Sequence, residues 1–299
     1  MAFSKAATLA PKEARFRDGL GRLYLQLGRH EEAVEALERA DYLRPGNVET
    51  LRALGLSYLL FDSLREAQRT LEKALSVGPP LAETHLHHAR ALVALGRAAD
   101  ARKELLAALA LDPALADAHF DLGVLLAKAG ELEPAAKHLE EATRSARDPA
   151  DAYGELAKVR RARGEIHEAL QAFKQRLRAR PNDAEAHFGL AETLAFAGRD
   201  AEAVPEQEAG IALDAKRAGA HRRLGEMLAR LGRHDEALAP LMRATAGEPD
   251  DPARWAARLR FPGWRVERRR PRLRPTRLRC CRWRPAPSRC RNGGPVALC

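Results

Sequence analysis

The chain has 299 residues, of which 45% are hydrophobic, 5% aromatic and 31% charged, with a formal net charge of +10 at pH 7. That charge sits at one end: residues 252–299 hold 15 Arg, no Lys and one acid (Glu267), hence +14, while residues 1–251 carry −4. No run of about 18 apolar residues exists to cross a membrane as a helix, and all four cysteines (Cys280, Cys281, Cys290, Cys299) fall in the basic end, so no disulfide supports residues 1–251.

In chain order, Phe3, Ala6 and Pro11 have the same mutual spacing as Leu37, Ala40 and Pro45 further on. Residues 1–13 are therefore expected to be the second helix of a partial preceding repeat, or a cap helix with the same spacing. MAFSKAATLAPKEA has no apolar core of the signal-peptide kind, and a cytoplasmic location is expected. From Ala14, Leu20, Gly21 and Tyr24 recur at helical spacing, then Ala33, Leu37 and Ala40. Gly28 can break the helix between the two sets, and Pro45 bars the second helix from continuing. The spacing predicts two antiparallel helices joined by a tight turn.

The same pattern returns at a fixed interval, which divides the chain into 14–47, 48–81, 82–115, 116–149, 150–183, 184–217 and 218–251. The eighth position of each unit is Gly or Ala (Gly21, Gly55, Ala89, Gly123, Ala157, Ala191, Gly225). The twentieth is always Ala (Ala33, Ala67, Ala101, Ala135, Ala169, Ala203, Ala237). Small side chains at both places let two helix backbones approach closely, where larger ones would overpack. Position seven is Leu in every unit but the third, which has His88. The turn position is Gly except at Asp62, and it predicts a backbone with positive φ. Acids soon after the turn, Glu32 and Glu66 among them, suit the positive end of the second helix.

These residues resemble the tetratricopeptide repeat, a 34-residue helical hairpin with small and large residues at fixed places. The resemblance spans about residues 1–260. It implies an all-α fold: a right-handed solenoid of stacked antiparallel helix pairs.

Units five and six depart from the pattern. Arg160 replaces a large apolar residue, Arg176 a seam Ala, Gln207 a Leu, Gly210 a second seam Ala, and Ala215 the proline. The fifth unit is also locally basic (Lys158, Arg160, Arg161, Arg163, Lys174, Arg176, Arg178, Arg180). The joint between these units is therefore expected to be the weakest seam, with its arginines snorkelling to water or forming a hinge or an anion-binding point. Residues 252–260 begin an eighth repeat in phase, with Trp255 at position four. From Phe261 the helical periodicity is lost, and 261–299 is expected to be a disordered Arg/Pro-rich tail. Two readings of the tail stand side by side. One is a basic arm for nucleic acid or an acidic surface; the other is an out-of-frame stretch of a GC-rich gene, favoured by the absence of Lys.

No catalytic spacing emerges. Gly19-Leu20-Gly21 lacks the third glycine and the strand of a dinucleotide site, and there is no GxSxG, HExxH, Walker loop or CxxC. His85 and His88 face the partner helix while His87 points away, and His119, His187 and His221 share position four with His85, so packing is expected of them before metal ligation. No enzyme, cofactor or metal is expected. What remains is surface.

At 100° per residue, positions 2, 6, 9 and 13 of the first helix, flanked by 5 and 12, point away from the hairpin. In the resembled family that face lines a concave groove for peptides or helices. Here the candidate groove residues are Leu56, Leu59, Phe120, Val124, Lys128, Lys158, Arg161, Phe188, Glu192 and Phe196. Family members that grip a C-terminal carboxylate use paired Lys and Asn on this face. The three asparagines here (Asn47, Asn182, Asn292) all lie elsewhere, which argues against that variety. The expected function is a non-enzymatic scaffold that binds an amphipathic or acidic-hydrophobic peptide or helix of a partner protein. The alternatives are the recognition module of a larger enzyme or a secretion or assembly component, and nucleic-acid binding through the tail.

Overall fold

The structure, a computed structural model, describes residues 13–245. Seven first helices begin at a constant interval: α1 Ala14–Gln26, α3 Val48–Leu60, α5 Ala82–Ala94, α7 Ala116–Lys128, α9 Ala150–Ala162, α11 Ala184–Phe196 and α13 Ala218–Arg230. Each is followed by a second helix: α2 His30–Leu43, α4 Leu64–Val77, α6 Ala98–Leu111, α8 Leu132–Ser145, α10 Ile166–Ala179, α12 Asp200–Leu213 and α14 His234–Thr245. Among the described residues there is no strand. The pairs stack as a right-handed solenoid, each second helix packing on the first helix of the next pair. From the first pair through the sixth, neighbouring first helices also touch one another, which places them on the inner side of the stack. The expectations for residues 1–12 and 246–299, which include the partial preceding repeat, the end of the seventh, the start of the eighth and the tail, lie outside the described residues.

The residue pattern accounts for this geometry. Every position-twenty Ala is buried, and in the first, second, fourth and seventh pairs a Leu of the second helix sits on the position-eight Gly of the first. A Cβ on Gly21 would lie 2.4 Å from Leu37 Cγ, so a larger residue there would force the helices apart. The turn residue takes positive φ in all seven pairs, from 62° at Asp62 to 81° at Gly130 and Gly164. Glycine has no Cβ to clash there, and Asp is among the few other residues that adopt this conformation readily. Asn47 and Asp183 cap α3 and α11, their side-chain oxygens accepting from Thr50 N and Ala186 N.

At the joint between the fifth and sixth pairs, the structure corrects the expectation that Arg176 snorkels to water. Arg176 is not set free by its size: its side chain is 11% exposed, lies in the space left by Gly154, and donates to Asp183 at 2.7 Å. Gly210, in turn, makes room for the Phe188 ring, and Gly189 does the same for Phe173. Each oversized residue faces an undersized one, so the volume is conserved, and of the three pairings Phe173–Gly189 is the one that crosses the joint. Part of the basic surface of the fifth repeat is neutralised by its own carboxylates and those of the repeat before it. Arg160 meets Glu140 at 2.8 Å, and Arg180 meets Asp148 at 2.6 Å and Asp151 at 2.9 Å. The anion-binding reading of those arginines therefore falls away.

Candidate functional site

The inner face is built from the first helices, whose outward positions recur with the repeat register. Carboxylates and guanidinium groups there cross-link successive helices. Arg22 reaches Glu49 at 3.1 Å, Arg52 pairs with Glu83, and Arg90 holds Asp117 at 3.0 Å and Asp121 at 2.5 Å. Burial holds the Asp121 carboxyl above the usual carboxylate range, and Arg90 pulls it back only part of the way. Further along, Arg161 meets Glu192 at 2.9 Å, and Arg223 approaches the same carboxylate at 3.8 Å.

This ladder is interrupted once before α11. Among the described residues no ion pair joins α7 to α9, because the positions that carry Arg52 on α3 and Arg90 on α5 carry Phe120 and Val124 on α7. Both are half-buried against the core of repeats three to five. Beside the gap, between α5 and α7, lies a cleft of about 130 Å³ lined by Val93, Leu105, Val124 and Leu125 together with Arg90, Asp121 and Lys128. The carboxylates of this region are already engaged by Arg90, whereas Lys128 has no ion-pair partner among the described residues.

The predicted groove residues divide accordingly. Val124 and Lys128 line the cleft, and Phe120 lies on the same helix. Leu56 and Leu59 are half-buried on α3, one repeat before the cleft. Lys158 is paired with Glu155 at 2.8 Å, and Arg161 and Glu192 hold each other. Phe196, 71% exposed, projects from the end of α11 apart from the cleft. Phe188 is a correction: it is 2% exposed, packs on Gly210 of its own repeat and is covered by the Arg217 guanidinium at 4.8 Å, so it belongs to the core. Sequence reasoning did not bring Val93 and Leu125 together in one cleft. Their positions differ, twelve on α5 and ten on α7, so a projection of one repeat does not bring them together.

The histidines follow a rule the sequence also contained. Three of the four position-four imidazoles meet a group 19 residues on, the exception being His221, whose counterpart is Pro240: His85 Nδ1 lies 2.6 Å from Glu104, His187 Nδ1 2.7 Å from Glu206, and His119 Nδ1 2.9 Å from His138 Nδ1. His87 does not point away to solvent but is buried, and burial lowers its pKa to about 4. Among the described residues no cluster of three or more His, Cys, Asp or Glu side chains is placed to hold a metal.

Four family models, described as TPR or tetratricopeptide repeats, match residues 14–47, 89–130, 150–193 and 206–252, together more than half of the chain. The chain is a tetratricopeptide repeat protein. Solved tetratricopeptide structures align with it over most of the array. A chain of the APC/C hetero-tetramer Cut9–Hcn1 gives a TM-score of 0.66 at 18% identity, covering 76% of this chain and 45% of that one. This chain thus spans less than half of that relative. The C-terminal part of a TPR repeat-containing protein from Cytophaga hutchinsonii gives 0.65 at 18% identity, covering 84% and 100%. PilF of Pseudomonas aeruginosa gives 0.61 at 21% identity, covering 71% and 97%. At these identities the likeness concerns the fold. No curated protein matches the sequence.

Proposed function

We propose that the array is a non-enzymatic scaffold that holds a peptide or helix of a partner protein against the inner face of its first helices, centred on the cleft between repeats three and four. Tetratricopeptide folds serve as protein-interaction scaffolds, and fold alone does not choose the ligand. The observation that carries the reading is the gap in the ion-pair ladder. Elsewhere the inner face satisfies its own charges. At α7 it presents apolar surface beside a lysine with no ion-pair partner among the described residues. A cleft of about 130 Å³ admits a single aliphatic side chain, and Lys128 selects a carboxylate near it. The partner segment is therefore acidic-hydrophobic, its apolar residue supplying affinity and its acid supplying orientation.

Selection of peptides from a displayed library, followed by titration of the winners, tests this. Val124→Glu should abolish binding with the helical circular dichroism unchanged. Lys128→Glu should weaken it about tenfold, the loss of one charge pair. Lys103→Glu on the outer side should change nothing. High salt should weaken binding without eliminating it. Peptides that still bind a folded Val124→Glu protein at wild-type affinity would refute the site.

A further inference from the structure

In repeat four the position-four rule brings two imidazoles together instead of an imidazole and a carboxylate. His119 on α7 and His138 on α8 place their Nδ1 atoms 2.9 Å apart, with ring centroids 5.2 Å apart and planes tilted by 35°. The other nitrogen of His119, Nε2, lies 3.0 Å from the carbonyl oxygen of Pro113. A carbonyl can only accept, so Nε2 carries the proton and Nδ1 presents a lone pair. That lone pair points at His138. A ligating histidine characteristically donates its other N–H to a carbonyl or carboxylate, which fixes tautomer and ring orientation together. His119 is already held in that way. Both rings are half-buried and accessible from solvent.

We propose that His119 and His138 form a two-imidazole site for a divalent transition-metal ion, specifically Zn²⁺, bridging the two helices of repeat four. Zinc–nitrogen bonds of about 2.0–2.1 Å in a tetrahedral arrangement require the two nitrogens roughly 3.3 Å apart. The pair reaches that separation by a small rotation of either side chain. In the metal-free state the His138 Nδ1–H donates to His119 Nδ1. On binding, that proton is given up at Nδ1 and His138 takes the Nε2–H tautomer, so no net proton is released from a neutral pair. The remaining coordination positions belong to water. The site is therefore exchangeable and weaker than a four-ligand structural zinc. The equivalent pair in repeat six, His187 with Glu206, provides one imidazole, and in repeat three Glu104 lies between His85 at 2.6 Å and His88 at 3.4 Å, so its carboxylate separates the two rings. Zinc would tie α8 to α7, the helix that carries Val124 and Lys128, although the site stands independently of any peptide bound there.

Titration calorimetry with ZnCl₂ tests the proposal on the full chain with Cys280, Cys281, Cys290 and Cys299 replaced by Ser, which removes competing thiols. One zinc per chain is expected. Its affinity should fall at least tenfold in His119→Gln and in His138→Gln and remain unchanged in His187→Gln. Side-chain ¹⁵N spectra of the protein with both histidines intact provide a readout that does not depend on how well the variants fold. Zinc should shift the Nδ1 resonances of His119 and His138 and move the His138 proton to Nε2. Absence of these shifts at millimolar zinc, or equal affinity in a folded His138→Gln variant, would overturn the site.

Discussion

His87 shows how much one side chain can set at the residue scale. It is 9% exposed on α5, with Arg52, Arg90 and Asp117 as its charged neighbours from α3, α5 and α7. Burial is the main cause of its lowered pKa of about 4, and the two arginines add to it. The ordinary histidine value is near 6.5, so between pH 6.5 and 4 the unfolded chain takes up a proton that the folded chain refuses. Stability is therefore complete above pH 6.5, falls as the pH drops through that window, and loses nothing further from this group below pH 4. The full loss is of order 3 kcal/mol. Because the array opens locally, the effect should appear in α5 first. Protection factors across Ala82–Ala94, which correct exchange for its intrinsic pH dependence, should fall on acidification to pH 4.5 in the wild type and less so in His87→Gln. An equal fall in both would assign the sensitivity to other groups.

At the scale of the elements, the exchange of bulk between facing helices decides what the seams tolerate. Arg176 fills the space over Gly154 and is bonded to Asp183. Arg176→Ala therefore leaves a void and takes the ion-pair partner from a largely buried carboxylate that keeps only its cap hydrogen bond. We expect it to lower stability by about 1–3 kcal/mol, even though Ala is the usual residue at that position. Adding Gly154→Ala should recover part of the loss, a coupling that a double-mutant cycle on thermal melts would measure. A single variant as stable as wild type would show that the arginine contributes no packing. This pairing also explains what the sequence could and could not tell. Gly21, Ala33 and Gly28 were legible because close approach and positive φ each admit few residue types. Phe188 was misread because a single-helix projection puts position five at the edge of the outward face. In fact the second helix crosses near that edge, and Gly210 opens a slot for the ring. Gly210 was seen as a weak substitute for Ala when it was the partner of Phe188. The cleft beside Val124 was only half legible, since it depends on Val93 from the previous repeat.

Among the described residues the extensive helix contacts join each repeat to its neighbours, so stability is a sum of hairpin and interface contributions. Unfolding should then be graded. Denaturation followed by circular dichroism and by a probe placed in one repeat should give transitions that do not coincide; coincidence would mark a single cooperative unit. The inner-face ion pairs contribute little to that sum, because most are partly exposed and screened by salt. In the function proposed above their larger effect is on recognition, since a surface that already answers its own charges offers a visiting segment little to hold. The gap at α7 is where that self-sufficiency lapses.

The Phe173–Gly189 contact has a consequence for the order of the repeats. Phe173 of repeat five projects into a hollow that only a glycine at Gly189 of repeat six provides, while the other second helices rest a leucine, or once a glutamine, at the same position. Excising residues 150–183 would keep the helical phase, since that segment is one full period. It would nevertheless set Leu139 where the phenyl ring had been and leave the hollow part empty. The units therefore share a shape without being interchangeable, and the address of each is written in the neighbour it fits.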